Sequence, residues 1–222
     1  MSAMEQNMEA RRQRLLEEVR RLIESGGFEG LTMRELASAS GVTVPTIYNL
    51  IGNKEAVLLA AVEEQTEGFT SALERVQGDL IEVVEATVRQ LLRRPRYYRA
   101  LLLALTNTEH AGAAQRYAAQ ALSRQIERAL KALEEANELA SWIEPISISQ
   151  RLHGHIDYAA IQWARGTLSN SAFRSAALLD TSLTLLGVTS GASQKRFAKT
   201  AQEHQATAQR GRGHRLRGGR AA

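Results

Sequence analysis

Residues Leu31–Lys54 read LTMRELASASGVTVPTIYNLIGNK. The stretch spells two short helices, a tight turn and the opening of a third helix. Thr32-x-x-Glu35 is a capping box, in which the Thr hydroxyl accepts from the Glu35 N–H and the carboxylate reaches back to the Thr32 N–H. Leu31 and Leu36 form the matching hydrophobic staple. After Ser40, Gly41 supplies a left-handed helix end without a Cβ clash. Thr43 caps the second helix, and Pro45 falls in its first turn, where N–H groups have no intrahelical partner. Asn53 caps the third helix, and Lys54 opens it. Helix, Gly-bearing turn, helix is the helix-turn-helix plan, whose second helix enters a DNA major groove.

A helix over about Thr43–Leu50 turns Ile47, Leu50 and Ile51 inward. It leaves Thr43, Val44, Pro45, Thr46, Tyr48 and Asn49 on its exposed N-terminal and outer faces. Thr and Asn side chains can bond base edges, and Val44 or Pro45 can pack on a thymine methyl. Tyr48 and Lys54 suit phosphates, one as a phenolic donor on a rigid arm and one as a cation beside a helix start.

The string Gly41-Val42-x-x-Pro45-Thr46-Ile47-Tyr48, followed by Asn53-Lys54, closely resembles the TetR (tetracycline-repressor-like) family of bacterial regulators. That resemblance implies an all-α chain. An N-terminal three-helix DNA-binding domain would precede a larger helical domain for effector binding and dimerisation. It also implies phosphate contacts at Tyr48 and Lys54 and a guanine contact from Arg34, early in the first helix of the motif. Thr32, at the start of that same helix, is placed with this DNA face. There is a departure from the family pattern: the second helix carries no Arg or Lys, and Val44 stands where a polar or small residue is more usual. Base readout would then lean on apolar contact and on Thr46.

At 222 residues and 44% hydrophobic, the chain can bury a sizeable core. It has no cysteine, hence no disulfide framework and no thiolate metal site. No run approaches the ~18 apolar residues of a spanning helix. The opening MSAMEQNMEARRQRLL lacks the apolar core of a secretion signal. A cytoplasmic protein with no membrane partner is expected. The net charge of +4 is unevenly spread. Residues 189–222 hold eight bases and one acid, whereas residues 1–188 hold 20 bases and 23 acids. The basic pI therefore belongs to the end of the chain and says nothing about DNA binding by the rest.

Three regions follow: residues 1–53 as the DNA-binding domain, 54–190 as the helical ligand-binding and dimerisation domain, and 191–222 as a basic, disordered tail. Helical periodicity predicts about nine helices, starting with one over about Ala10–Ser25 that Gly26-Gly27 stops. Arg11, Arg12 and Arg14 are either a solvated helix end or a grip on phosphates. Residues Trp142–Ser147, with Pro145, are expected as a loop. The tail GRGHRLRGGRAA has almost nothing to bury and is either solubilising or a sequence-blind hold on DNA, although Gln194–Gln209 could form a weak helix.

In the family, the last two long helices pair with their twofold mates. Here Leu152, Ile156, Ala159, Ala160 and Trp163 form one stripe and Leu179, Leu183 and Leu186 another. Both are expected as dimer contacts; the alternative, which can hold as well, is that they face the subunit's own core. Tyr98, Leu102, Asn107, His110 and Tyr117 are the candidate lining of an effector pocket, or ordinary surface, and they name no ligand. His153-Gly154-His155-x-Asp157 is no metal site on a helix. His153 and Asp157 align one turn apart, and His155 points about 200° away. The pair can still raise the pKa of His153.

No phosphate-binding Gly loop, nucleophile elbow, paired carboxylate setting or His-Glu-x-x-His helix marks an enzyme, and no cofactor is implied. The expected function is a dimeric repressor on a pseudo-palindromic double-stranded DNA operator, released by a small-molecule effector. The alternative is an architectural nucleic-acid-binding protein without one.

Overall fold

The computed structural model describes residues 3–74, 76, 79–107 and 112–213. Among them are ten helices and no strand: α1 (Ala3–Gly30), α2 (Met33–Ser40), α3 (Val44–Leu50), α4 (Lys54–Glu74), α5 (Leu80–Arg93), α6 (Pro95–Asn107), α7 (Gly112–Glu135), α8 (Pro145–Ala164), α9 (Asn170–Leu186) and α10 (Gly191–Gly213). No helix among the described residues is long and apolar enough to cross a membrane. Contacts divide the chain into two compact units, Met1–Gly68 with Arg94–Ala118 and Phe69–Arg93 with Ala119–Ala222. In this division α6 folds with the N-terminal helices.

In the first unit, α1 begins seven residues before the expected start and buries Leu15, Leu16, Val19 and Ile23. Gly27 (φ 75°, ψ 167°) breaks it where the Gly pair predicts a stop. Beyond the kink the chain inserts Phe28 and Leu31 into a core shared with Leu36 and Ile47, all four buried. Three contacts hold α1, α4 and α6 together. Arg20 pairs with Glu64 at 2.6 Å, the Tyr98 hydroxyl donates to Gln65 at 2.9 Å, and α6 packs along α1. Tyr97 is wholly buried, and its hydroxyl has no hydrogen-bond partner among the described residues. Burial first, and then the Glu64 charge, push its pKa well above the usual phenol value.

In the second unit, α9 packs against α5, α8 and α10. Trp163 of α8 stacks on Phe173 of α9 at 5.1 Å, and its indole N–H donates to Asn170 at 2.8 Å. The expected loop at 142–147 ends three residues early, because Pro145 opens α8. A proline loses nothing at the first helical position, where its missing N–H would have had no partner.

The tenth helix replaces the expected disordered tail over residues 191–213. Phe197, Ala201 and Ala208 are buried, a spacing that keeps one helical face inward. Its N-terminus is capped from a distance: Glu138 accepts from the N–H groups of Ala192 at 2.8 Å and Ser193 at 3.1 Å. A hydrogen bond from the Ser193 side chain, and then those two backbone bonds, lower the Glu138 pKa. A side chain at Gly191 (φ 66°) would strike that carboxylate. Arg196 adds ion pairs to Asp79 at 2.9 Å and Glu82 at 3.3 Å. Residues 214–222 lie outside the described residues.

Candidate nucleic-acid interface

Local bonding fixes the α2–turn–α3 element. The Glu35 N–H donates to the Thr32 hydroxyl at 3.1 Å, and the Thr32 N–H donates to the Glu35 carboxylate at 3.1 Å. Gly41 takes the left-handed conformation (φ 65°, ψ 29°) and turns the chain. The Val42 N–H then closes onto the Ala37 carbonyl at 3.1 Å. At the start of α3 the Thr46 N–H donates to the Thr43 hydroxyl at 3.3 Å, and the two hydroxyls lie 2.8 Å apart. Asn53 accepts from the Ala56 N–H at 2.9 Å and so caps α4. Each signal in the motif is met by the bond it predicts.

The side chains of α3 divide as its period requires. Ile47 is fully buried, while Thr43, Pro45, Tyr48 and Asn49 are exposed and Val44 and Thr46 half-buried. Tyr48 stands 51% exposed, an unusual position for a large ring without a partner surface. Arg34 is exposed on α2, so the α2 and α3 candidates share one accessible head. Two expectations shift in meaning. Besides accepting the cap bond, the Thr32 hydroxyl bonds the Glu35 carboxylate at 2.9 Å, so the residue acts first as a cap. Lys54 is tethered rather than loose: its ammonium donates to the Glu29 carbonyl at 3.1 Å and sits 5.0 Å from the Phe28 ring centroid.

The sequence of the head matches, over residues 15–61, the family model described as bacterial regulatory proteins, tetR family. Over those residues the chain is similar to the TetR family. Its fold is that of TetR-family transcriptional regulators over most of its length. SmeT, the repressor of the Stenotrophomonas maltophilia multidrug efflux pump SmeDEF, superposes with a TM-score of 0.64 at 19% identity, over 82% of this chain and 92% of its own. The fatty acid degradation regulator FadR from Bacillus halodurans gives 0.64 at 19% identity, over 79% and 98%. Thermus thermophilus FadR, a TetR-family repressor solved with lauroyl-CoA, gives 0.62 at 23% identity, over 81% and 96%. At such identities the likeness establishes the fold. The comparison with curated proteins finds no match. The family and these neighbours are regulators of transcription rather than enzymes.

The other TetR-type candidates fare unevenly. Leu152, Ile156, Ala159, Ala160 and Trp163 are all buried within the single chain. On that side of α8, Trp163 stacks on Phe173. Of the α9 stripe, Leu183 remains 55% exposed, and Leu179 and Leu186 are half-buried. The outer face of α8 shows Tyr158 instead, 60% exposed and overlooked in the sequence because a lone Tyr breaks no pattern. Tyr98 is buried and its hydroxyl donates to Gln65, and Leu102 is half-buried. The side chains of Asn107 and Tyr117, and His110 entirely, lie outside the described residues. His153 sits 3.1 Å from Asp157 and 3.3 Å from the Ser123 hydroxyl, and the Asp157 bond raises its pKa. His155 turns away to Thr184, and no group of potential metal ligands occurs among the described residues.

Proposed function

We propose that the protein is a cytoplasmic repressor that binds a pseudo-palindromic operator as a homodimer and leaves it when a small molecule binds. The observation that carries this reading is the exposed outer face of α3, with Thr43, Pro45, Tyr48 and Asn49 free to meet DNA while Ile47 anchors the helix beneath them. Thr46 and Asn49 offer hydrogen bonds to base edges, and Val44 and Pro45 offer apolar contact to a thymine methyl. Arg34 suits a bidentate guanine contact. Tyr48 and Lys54 address phosphates and set the register of the head on the duplex.

Two heads must act together to read a twofold site, with half-sites about 34 Å apart. The exposed Tyr158 and Leu183, with Leu179 and Leu186 beside them, are the apolar surface that suits pairing of two subunits. Repression and ligand control are supported by what similar folds do: SmeT is a repressor, and one FadR repressor holds lauroyl-CoA. The effector acts by binding the DNA-incompetent state more tightly than the competent one, since equal affinity would shift nothing. Selection from a random pool of duplexes with the full chain tests the reading. A twofold-symmetric motif with half-sites one helical turn apart is expected. Recovery of unenriched sequence would reject it.

A further inference from the structure

A cleft of about 390 Å³ opens between α1 and α6, inside the first unit and apart from the candidate pocket residues of the sequence. Ile23 and Phe28 of α1 and Ala100 and Leu103 of α6 supply its apolar walls. Its rim carries opposite charges on opposite helices. Glu24 lies on the α1 side with Glu29, and Arg96 on the α6 side with Arg99. Neither Glu24 nor Arg96 forms an ion pair among the described residues. The volume falls in the range of small-molecule sites, which pair a mainly apolar lining with a few polar anchors.

Phe28 has a second duty. It lines the cleft, and its ring underlies the ammonium of Lys54, which the next residue, Glu29, holds through its carbonyl. Gly27, the kink at positive φ, lines the same cleft and breaks the helical course of α1 just before this segment. One wall of the cleft is therefore the support of a residue suited to DNA phosphate.

We infer that the α1–α6 cleft is a binding site for a small zwitterion with an apolar body, anchored by Arg96 and Glu24, and that its occupation loosens Lys54 through Phe28 and Glu29. The apolar body takes the Ile23, Phe28, Ala100 and Leu103 walls. The anionic end pairs with Arg96 and the cationic end with Glu24. A ligand of one charge alone would gain one pair and face the other charge unfavourably. Filling the cleft moves the Phe28–Glu29 segment at the Gly27 kink, and Lys54 loses its fixed position. The coupling half of this inference rests on the DNA-binding reading above; the binding half does not.

The test uses the dipeptide L-leucyl-L-phenylalanine beside its N-acetyl and C-amide forms, which keep the body and remove one charge each. Calorimetric titration of the full-length protein without DNA is expected to show saturable binding of the zwitterion. Its affinity should be about threefold or more above either capped form, the size of one partly exposed charge pair. Arg96→Ala should erase the advantage over the amide, and Glu24→Gln the advantage over the acetyl form. Ala100→Trp, which fills the cleft, should abolish binding of all three with an unchanged melting curve. On a duplex taken from the selection, the zwitterion should weaken wild-type binding about fivefold, within the usual span of coupling between sites. It should also lower the salt slope by about one phosphate contact. Ala100→Trp should bind the duplex normally and ignore the ligand. Equal affinity of the three compounds, or zwitterion binding that survives Ala100→Trp, overturns the site. A flat titration alongside intact DNA binding overturns it too, and leaves the repressor reading untouched. Saturable titration in a protein that ignores every duplex removes the repressor reading and leaves the site.

Discussion

Helices α3 and α10 are held by opposite means. The seven residues of α3 take every stabilising bond from neighbours in sequence: the Thr43 cap, Pro45 in the first turn, and the Gly41 turn before them. The 23 residues of α10 depend on Glu138, which lies 54 residues upstream of Ala192, and on the buried Phe197, Ala201 and Ala208. The first kind of helix can be read along the chain, because its partners lie within four residues. The second cannot, since its cap and its cover come from other helices.

The sharpest way to break this contrast is Phe197→Ala. Removing a fully buried ring from a packed helix should cost about 3–5 kcal/mol, read by chemical denaturation. A tail that only solubilises would show no change. Next comes Lys54→Ala, which tests the head. Affinity for the selected duplex should fall for all sequences alike, and the salt slope should drop by about one. A change in base preference without a change in affinity would contradict the phosphate role. Gly191→Ala forces a side chain into the left-handed region and against Glu138, and should cost about 1–2 kcal/mol. Thr43→Ala removes a purely local cap, with a cost of about 1 kcal/mol.

The smallest effect is a pH dependence. The folded pKa of His153 is raised, first by its hydrogen bond to Asp157. The stabilisation is therefore complete below the unfolded histidine value of about 6.5 and is lost as pH rises through the higher folded value. Asp157→Asn should lower the melting temperature more at acidic than at alkaline pH. His204 acts with the opposite sign, because burial and Arg174 lower its pKa. It disfavours the fold as pH falls, so the comparison must be made between Asp157→Asn and the parent chain.

Much of the head was legible for these same reasons. Thr32, Glu35, Gly41, Thr43 and Asn53 each announce a bond that the structure contains. In the body, the α8 stripe from Leu152 to Trp163 was legible as a stripe but not as a direction. A helix period says that one face is apolar and leaves open whether Phe173 or a second subunit covers it. The α10 face was hidden by the Gly- and Arg-rich end that follows it, which dominates the composition of the region. The Arg20–Glu64 pair joins residues 44 apart, and the α1–α6 cleft depends on which helix lies beside α1. Neither has a local signature. Pro145 has no single meaning in the sequence, because a proline can open a helix as well as interrupt one.

The central claim is that the outer face of α3 reads bases. It is tested most directly by a cycle between protein and DNA, pairing Asn49→Ala with every single base-pair change across the selected site. The account predicts that the cost of Asn49→Ala vanishes at one symmetry-related pair of positions and persists at all the others. A cost that is the same at every position, whatever base is changed, would contradict it.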